Sequence, residues 1–415
     1  MNGAMKRIAV IGSGISGLAA AYYLSRKHEV HVYEKDSRIG GHTHTHVMES
    51  SQGPFAVDSG FIVHNDKTYP NFCRLMNELG VAAAPSDMSF AVFSPSTGFE
   101  YSSHGLRGYF SQKRNLFRPA HWKLLGEILR FNRLAPRLLD HPDEITLGKF
   151  LEAGNYSTEF IERYLFPMAS AVWSMTPEAV ASFPAVTLIR FFANHGMLGI
   201  NTHPKWKFIR GGSHSYLAPL TKPFQKRIQT GVEIREVERT ERAVTLRFAG
   251  KPAAHFDDVV FACHGDQILP LLADATPKER DVLSNFTTTA NEAVLHRDSR
   301  LLPVRSGARA SWNYQLGDRG RVSLTYHMNR LQSLPVREDY CVSLNTNGDV
   351  DSSKVIRRMI YHHPLYTQAA VRAQDRWNEI SGVRRTHFCG AYWFYGFHED
   401  GVNSALRVAN ALGVA

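Results

Sequence analysis

The sequence predicts an α/β fold in which a domain built on a parallel sheet is interleaved with a second domain of mixed α+β structure. The first observation is a compact β-branched run, Lys6–Ile11, followed by the closely spaced glycines Gly12, Gly14 and Gly17 and a helical stretch. The second is the recurrence of buried-strand patterns after long helical stretches, as in Asp257–Ala262. A chain of 415 residues corresponds to about two or three domains, so two interleaved units fit its length.

The composition is that of a globular protein with a large core. Hydrophobic residues make up 43% of the chain and charged residues 21%, which excludes disordered, collagen-like and disulfide-dense mini-protein classes. Lys and Arg number 48 against 38 Asp and Glu, which gives a net charge of +10. This balance favours an anionic partner such as a phosphate-bearing cofactor, an anionic lipid surface or nucleic acid, without choosing among them.

The cysteines and the apolar runs indicate a reducing compartment. The four cysteines are far apart and form no CxxC pair, so they are expected to be free thiols. The apolar run near the N-terminus is too short for a signal-peptide core, and no stretch approaches the ~18 apolar residues of a membrane span. The sequence therefore predicts a cytoplasmic protein, with peripheral contact at the inner membrane face left open.

The glycine series predicts a dinucleotide-binding turn. Gly12 permits the tight turn after the strand, Gly14 lets the backbone approach a pyrophosphate, and Gly17 lets helix and strand pack closely. Ser13 and Ser16 belong to the same turn, whose free N–H groups at the helix N-terminus attract phosphates. A second strand follows the helix, and an acid follows that strand, so the sequence predicts a Rossmann-like domain.

The acid at the end of the second strand is Glu34, and it is placed to accept hydrogen bonds from an adenosine ribose. Its charge argues against a cofactor with a 2′-phosphate. The run EKDSRIGGH, which starts at this acid, resembles the second motif of the FAD-dependent amine oxidase superfamily, which also holds protoporphyrinogen oxidases and phytoene desaturases. The resemblance implies FAD, with Glu34, Arg38 and the paired glycines Gly40 and Gly41 bringing backbone and guanidinium against the diphosphate. Lys35 and His42, in the same run, are expected to bind the cofactor as well. A Gly-Gly surface turn is the alternative.

The same resemblance assigns two further segments. Gly60 and Phe61, in the run VDSGF, match the loop that lies beside the isoalloxazine in the family. Val237, in the strand-rich segment Val232–Phe248, is the best match to the family's strand-end valine near the adenine. No cysteine stands at the spacing used for covalent flavin attachment, so the cofactor is expected to be noncovalent FAD.

The C-terminal motif predicts the flavin end of the site. The run Thr386–Val402 precedes a predicted helix, Asn403–Leu412, and resembles the closing strand, acid–glycine pair and final helix of the superfamily. A helix N-terminus stabilises the negative charge of a reduced flavin, and the expected donors are the N–H groups of Gly401 and Val402. A capped surface helix is the alternative. The binding residues expected from this motif are Gly390, Glu399, Asp400, Gly401 and Val402, with Asp400 holding either the ribityl chain of the cofactor or the loop.

Tyr395 and His398 are the candidate catalytic residues. A flavin accepts a hydride at N5 without a protein nucleophile, so no catalytic triad is required. His398 would accept or donate a proton with a pKa near the operating pH; the alternative is that both side chains are structural. Amine-oxidising members of the family place an aromatic cage residue just before the acid–glycine pair. Here Phe397-His398 stands there in place of a clear tyrosine, which argues against an amine substrate.

Histidines alternate directly after the second motif. His42, His44 and His46 would lie on one face of a strand, but a metal site there would lack an acid or cysteine partner. No metal is therefore predicted. The pairs Cys263-His264 and His362-His363 are interpreted as structural.

Several segments resemble one branch of the superfamily in more detail. GFHEDG, at 396–401, together with Leu295–Asp298, Ala310–Tyr314 and Tyr326–Gln332, is similar to a bacterial FAD-oxidoreductase subfamily. That subfamily resembles the N-terminal flavin domain of plant cyclopropane fatty acid synthases. The resemblance implies removal of hydrogen from a hydrophobic, lipid acyl-chain substrate, and a lipid methyltransferase as partner. Amine oxidation and a non-catalytic flavin-binding partner role are the alternatives.

The predicted domains are discontinuous. The FAD-binding domain takes 1–80, 205–266 and 385–415, and the substrate domain takes 81–204 and 267–384. In the substrate domain the patterns predict strands at Val322–Tyr326 and Tyr340–Leu344 and a helix near Ser352–Met359.

One segment of the substrate domain, Gly105–Leu139, is strongly basic. It contains eight Lys or Arg residues against a single acid, Glu127, with aromatic and aliphatic residues between them. Trp122–Leu139 is predicted to be a basic amphipathic helix that is interrupted or ends near Pro136. The interpretations are a solvated helix face or docking to an anionic membrane surface. Nucleic acid is not expected because no nucleic-acid motif is present.

Overall fold

The computed structural model describes residues 4–140, 145–173, 176–199, 204–317, 322–346 and 348–414. Within them the strands are β1 (Arg7–Ile11), β2 (Glu29–Tyr33), β3 (Thr45–Met48), β4 (Phe55–Asp58), β5 (Val63–Asn65), β6 (Ala83–Pro85), β7 (Phe90–Ser94), β8 (Phe99–Ser102), β9 (Trp206–Ile209), β10 (Ile228–Gln229), β11 (Ile234–Arg239), β12 (Val244–Phe248), β13 (Lys251–Phe256), β14 (Asp258–Phe261), β15 (Thr287–His296), β16 (Trp312–Leu316), β17 (Val322–His327), β18 (Cys341–Leu344), β19 (Val355–Leu365) and β20 (Thr386–Phe388).

The helices in the same residues are α1 (Ile15–Leu24), α2 (Pro70–Glu78), α3 (Gly105–Tyr109), α4 (Pro119–Leu134), α5 (Leu147–Ala153), α6 (Thr158–Phe160), α7 (Phe166–Trp173), α8 (Pro177–Ser182), α9 (Ala185–Asn194), α10 (Leu217–Thr221), α11 (Pro277–Leu283), α12 (Met328–Leu331), α13 (Gln368–Gln374), α14 (Trp377–Ile380) and α15 (His398–Ala411). A π-helical turn, Ile161–Leu165, joins α6 to α7. No helix among the described residues is both long enough and apolar enough to span a bilayer.

A five-stranded parallel sheet forms the first domain. Its order is β10-β2-β1-β14-β20, and β1 lies in the middle, with Ile8 paired to Val30 on one side and to Asp258 on the other. The four C-terminal residues of β1 are buried, as expected of a strand covered on both faces. Parallel strands bring their carboxyl ends to one edge, where such sheets bind ligands. The ends of β1, β2 and β14 meet there.

Helices α1 and α15 pack closely against each other beside this sheet. A Cβ at Gly401 would lie 2.7 Å from Ile15 Cγ2 and 2.8 Å from Ser16 Oγ, so the missing side chain permits the close approach. Helix α15 begins at His398, five residues before the start at Asn403 that the sequence predicts. The start of α15 is thereby placed beside the start of α1.

A seven-stranded sheet forms the second domain. Its order is β19-β15-β18-β17-β16-β7-β8, antiparallel except where β16 runs parallel to β7. Of the segment near Ser352–Met359, predicted to be a helix, Ser352–Lys354 forms a 3-10 turn and the rest is the start of β19, which pairs along the whole of β15. Hydrogen bonds to the long neighbouring strand β15 favour a strand here over the helix that the local pattern predicts. The strands at Val322–Tyr326 and Tyr340–Leu344 are confirmed to within a residue or so.

The sheets take their strands from the alternating regions of the chain that the domain prediction uses. The parallel sheet draws on 7–33, 228–261 and 386–388, and the seven-stranded sheet on 90–102 and 287–365. The exact domain boundaries stay a prediction. Helix α4 ends at Leu134 and gives way to a 3-10 turn with Pro136 in it, which confirms the predicted interruption.

Candidate active site

A cavity of about 1570 Å³ runs from the carboxyl edge of the parallel sheet to the space between the two sheets. One end, the groove, is lined by the glycine turn after β1 and by the residues that follow β2 and β14. The other end, the chamber, is lined by residues from α7, α9, β7, β16, β17, β19 and the loop before α15. The volume accommodates a dinucleotide and an organic substrate in one continuous space.

The three glycines of the first turn have different surroundings. Gly12 has a φ of +104°, and a Cβ there would lie 2.7 Å from the Ala262 carbonyl oxygen. A Cβ at Gly17 would collide with the Gly12 carbonyl oxygen. At Gly14, by contrast, a Cβ would meet no heavy atom of the described chain within 4 Å. Gly14 therefore leaves open space in the groove directly before helix α1, where a diphosphate fits.

Glu34 is held firmly at the end of β2. Its Oε2 accepts hydrogen bonds from the Ser13 N–H at 2.9 Å and the Ser13 hydroxyl at 2.6 Å, and its Oε1 accepts from the Asp36 N–H at 3.0 Å. Both Glu34 and Lys35 line the groove. The carboxylate stands where the ribose of a dinucleotide would lie.

The paired glycines of the second motif pack against the first turn. Gly40 has a φ of +108° and donates to the Ser13 carbonyl at 2.9 Å, and a Cβ at Gly41 would lie 3.1 Å from Gly14 Cα. Arg38 donates to the Gly41 carbonyl at 2.7 Å and to the Thr43 carbonyl at 3.3 Å. Arg38 and Gly41 both line the groove, so the two motifs form one wall.

Gly60 and Phe61 connect this wall to the start of α15. A Cβ at Gly60 would collide with the His42 carbonyl oxygen, and the Phe61 N–H donates to the same oxygen at 2.8 Å. The Phe61 ring stacks on the ring of His398 with centroids 3.6 Å apart. Gly60, Phe61, His42 and His398 all line the cavity.

The structure places Val232, not Val237, on the groove. Val237 lies within β11 and is completely buried in the core, whereas Val232 lines the cavity and donates its N–H to the Glu34 carbonyl at 2.9 Å. The sequence signal for this residue is Gly231, whose φ of +64° ends the turn just before it.

The structure also changes which N–H groups can face the flavin. Gly401 donates its N–H to the Phe397 carbonyl at 3.0 Å inside the helix, and Val402 is completely buried in the core. Neither lines the cavity. The correction follows from the earlier start of α15, because the first N–H groups of a helix have no partner within it. Those groups belong to His398, which lines the cavity, to Glu399 and to Asp400.

The two acids of the C-terminal motif bind backbone N–H groups of the protein and do not face the cavity. Glu399 accepts hydrogen bonds from the N–H groups of Asn71 at 3.1 Å and Phe72 at 2.8 Å, and so stabilises the N-terminus of α2. Asp400 accepts from the Phe397 N–H at 2.9 Å, and burial raises the pKa of Asp400 to about 7. Neither carboxyl lines the cavity, and Asp400 holds the loop before α15.

Gly390 follows β20 and lines the cavity. A Cβ at this position would collide with the ring of Tyr392, and the Gly390 N–H donates to Ser404 Oγ at 2.9 Å. The buried Cys389 thiol donates to the Ser16 carbonyl at 3.5 Å, and burial raises its pKa to about 12.

The two catalytic candidates differ in their surroundings. His398 is buried; its Nε2 lies 3.1 Å from Thr43 Oγ1 and 3.2 Å from the Tyr216 hydroxyl. Burial lowers the pKa of His398 to about 3, so the expectation of a pKa near the operating pH is wrong. Tyr395 lines the chamber, and burial raises the pKa of its hydroxyl.

Most of the chamber wall is apolar or aromatic. Phe397 stacks on Phe191 with centroids 5.1 Å apart. Among the described residues of this wall, Asp87 supplies the carboxylate. It lies 3.1 Å from Arg330 and 3.7 Å from His104. Burial raises the pKa of Asp87, but the hydrogen bonds outweigh it and bring the value to about 2. The apolar and aromatic lining comprises Met88, Phe90, Tyr164, Met168, Val172, Trp173, Phe191, Met197, Trp206, Trp312, Tyr326, Ile360, Tyr366, Tyr395 and Phe397.

A histidine cluster lines the cavity between groove and chamber. The His42 ring lies 5.4 Å from His363 and 5.9 Å from His264, and the pKa of His42 falls well below its usual value because of burial. No group of histidine, cysteine and acidic side chains among the described residues could hold a metal ion. His264 and His363, which the sequence analysis interprets as structural, reach the cavity from the loop after β14 and from β19. Nothing in the local sequence shows that these two parts of the chain meet.

Comparison with known proteins agrees with this geometry. The model of the flavin containing amine oxidoreductase family matches residues 15–413. An L-amino acid dehydrogenase of Synechocystis sp. is 24% identical over 249 residues, which cover 57% of this chain and 51% of that protein. The matched stretch thus spans about half the length of this relative.

Two solved structures show the same fold. A cyclohexylamine oxidase from Brevibacterium oxydans is 15% identical, with a TM-score of 0.70 over 99% of this chain and 100% of that chain. A CLA-producing fatty acid isomerase from P. acnes is also 15% identical, with a TM-score of 0.70 over 98% of both chains. The family match covers nearly the whole chain, and the groove fits a dinucleotide. The chain therefore belongs to the flavin-containing amine oxidoreductase family and is an FAD-dependent oxidoreductase.

Proposed function

We propose that this FAD-dependent oxidoreductase removes hydrogen from a hydrophobic substrate, and that the substrate is a lipid acyl chain. The observation that supports this most is the chamber, whose walls are mostly aromatic and aliphatic side chains. Burying such surface against a hydrocarbon contributes about 25 cal/mol for each Å², whereas an ammonium ion would need a carboxylate or an aromatic cage to replace its water.

The groove supplies the residues that hold the cofactor. Gly14 and the start of α1 leave room for the diphosphate, and Glu34 is fixed for hydrogen bonds to the ribose. FAD, when bound, supplies the hydride-accepting centre. The N-terminus of α15 at His398 carries the positive end of a helix dipole, which favours negative charge in the adjoining cavity.

The chamber wall orients the substrate. Phe397, Phe191 and Trp173 pack together at one side of it, and the Trp173 indole donates to the Tyr395 carbonyl at 3.4 Å. These contacts fix the loop just before α15, so the apolar wall keeps water from the reacting C–H bond. Asp87, already paired with Arg330 and His104, offers little to a cationic amine.

Anaerobic bleaching of the flavin absorbance tests the proposal. Phospholipids with plain, methylated and cyclopropanated acyl chains would be offered in parallel with polyamines and L-amino acids. We expect bleaching by an acyl lipid and none by the amines. Bleaching by amines alone contradicts the proposal and supports amine oxidation. No bleaching by any of them, in a protein that dithionite still reduces, contradicts it in favour of a flavin-bearing partner of a lipid methyltransferase.

Amine oxidation is the second candidate because of two aromatic side chains. Tyr395 and Phe397 both line the chamber at the start of α15, and the cyclohexylamine oxidase shares this fold. Phe397→Ala separates the candidates. An amine bound between two rings would lose cation–π attraction of about 0.5–2 kcal/mol, whereas an acyl chain in a long apolar chamber would lose one contact among many. The ratio of KM for amine and lipid in this variant measures the difference.

A further inference from the structure

We propose that the segment Gly105–Leu139, called the basic segment below, docks this protein on an anionic phospholipid bilayer. The segment folds as α3, a 3-10 turn at Lys113–Phe117, and α4, which then runs into a second 3-10 turn. The proposal goes beyond the oxidoreductase activity. It rests on the outer surface of the protein and does not require that the substrate be a lipid.

Bulky apolar side chains stand on the outside of this segment. Phe117 is 87% exposed and Leu106 is 67% exposed, and Leu116, Trp122 and Leu129 are each nearly half exposed. Leu116 and Trp122 adjoin each other, because the Trp122 indole donates a 2.9 Å hydrogen bond to the Leu116 carbonyl. Single exposed apolar residues are normal on proteins. A group of this size on one short segment instead marks a surface that interacts with a membrane or another protein.

Exposed bases alternate with these apolar side chains along the segment. In the described part of the chain, Arg130 of this segment forms an ion pair with Glu127 at 3.9 Å. Glu127 also accepts a hydrogen bond from the Ser157 N–H at 3.0 Å. The other bases have no carboxylate partner in the described part of the chain, so their charge is available to an anionic surface. They are Arg107, Lys113, Arg114, Arg118, Lys123, Arg133 and Arg137.

Helix α4 shows how the two kinds of side chain are arranged. Leu124, Ile128 and Phe131 form its buried face, and the exposed face carries Trp122 and Leu129 between Arg118, Lys123 and Arg133. A solvated face would carry polar residues throughout. Bases interleaved with Trp and Leu are the pattern of a helix that lies in the headgroup region with its rings and aliphatic groups at the acyl boundary.

The position of the segment relates it to the cavity. Ser103 and His104 directly precede α3; both are exposed, and both line the cavity. Docking through the basic segment therefore brings this opening to the bilayer. A hydrophobic molecule would pass from the membrane into the chamber with little exposure to water. Nucleic acid would gain from the charges, but it would leave Phe117 and Leu106 in water.

Vesicle co-sedimentation of the flavin-loaded protein tests the proposal. One set of vesicles contains phosphatidylcholine alone, and the other contains about a quarter phosphatidylglycerol. We expect binding to the second set in low salt and its loss in ~0.5 M NaCl, because salt screens the charges. Each base near the headgroups contributes about fivefold in partition constant, so the double variant K123E/R133E should weaken binding by about 25-fold or more. Phe117→Ser should weaken it several-fold.

Matched variants elsewhere on the surface are the controls. R242E/K251E makes the same change in net charge on exposed bases of the β11–β13 sheet, and Val383→Ser removes a side chain that is 47% exposed. Both should bind vesicles nearly as well as the unmodified protein. The bound flavin reports that each variant is folded.

Three results would overturn the proposal. The first is equal binding to both vesicle types regardless of salt. The second is an equal loss in the control variants. The third is double-stranded DNA binding as tight as vesicle binding and unchanged by Phe117→Ser, which would make the segment a general polyanion site. The vesicle experiment measures binding and the bleaching experiment measures reduction of the flavin, so failure of either experiment leaves the result of the other standing.

Discussion

Gly12 and Gly14 are two residues apart, yet the structure makes different use of their missing side chains. A side chain at Gly12 would press on the Ala262 backbone, whereas one at Gly14 would occupy open space in the groove. Gly14→Val should therefore leave the unfolding temperature of the flavin-free protein nearly unchanged and abolish flavin binding. Gly12→Val should lower both the unfolding temperature and the flavin content, because the new side chain would clash with the Ala262 backbone inside the fold.

The measurement is the ratio of flavin absorbance to protein after purification, together with thermal unfolding of the flavin-free form. Gly14→Ala serves as the control, since a single methyl group removes less of the open space. A Gly14→Val protein that is as yellow as the unmodified one would show that the diphosphate does not lie at this turn.

His398 shows what could not be predicted at the scale of single residues. The motif indicates that this position lies at the flavin, and the structure places it on the cavity wall. Its stacking on Phe61 and its burial next to Thr43 and Tyr216 come from residues far away in the chain. Only this surrounding lowers its pKa, so the local sequence could give the place but not the protonation state.

At the scale of elements, contiguous patterns were predictable and long-range pairings were not. β1, the glycine turn, α1 and β2 follow one another directly, and each boundary signal lies within the run. The start of β19 was misread because its strand form depends on β15, some sixty residues earlier in the chain. The early start of α15 depends on Asp400, which accepts the Phe397 N–H; a carboxylate at that position resembles an ordinary helix residue until its partner is seen.

One buried ion pair holds several elements together. Arg239 on β11 is 3% exposed; its guanidinium lies 2.5 Å from Glu279 of α11 and 3.2 Å from Thr386 of β20. Arg239→Ala leaves Glu279 buried without its partner, so it should lower the free energy of unfolding by about 3–5 kcal/mol.

Denaturant unfolding measures this loss. Glu238→Ala, which removes an exposed partner of Arg247 on the same strand, should cost less than about 1 kcal/mol. If the two substitutions cost the same, Arg239 does not have the structural role described here.

At the scale of the whole molecule, buried histidines make stability dependent on pH. Burial lowers the pKa of seven of them to about 3 or 4: His44, His46, His64, His195, His296, His363 and His398. The unfolded chain, with an ordinary histidine pKa of about 6.5, binds more protons than the folded one over this range. The free energy of unfolding should therefore fall as the pH drops from about 6.5 towards 4.

Two buried acids act in the opposite direction. Burial raises the pKa of Asp58 to about 6 and that of Asp400 to about 7, so the folded form holds their protons longer than the unfolded chain does. Seven histidines outnumber these two groups, and the net effect is a loss of stability in acid.

Thermal unfolding of the flavin-loaded protein between about pH 7 and pH 4.5 measures the balance. The variant His46→Gln, which keeps a polar side chain near Ser59, should make the dependence shallower by about one proton. An unfolding temperature that stays level or rises on acidification would contradict the prediction.

The parallel sheet is closed by β20 and covered by α15, which come from residues 386–411. During synthesis the first strands leave the ribosome long before these residues exist, so the groove stays incomplete for most of translation. Loading of FAD must then follow release of at least this part of the chain.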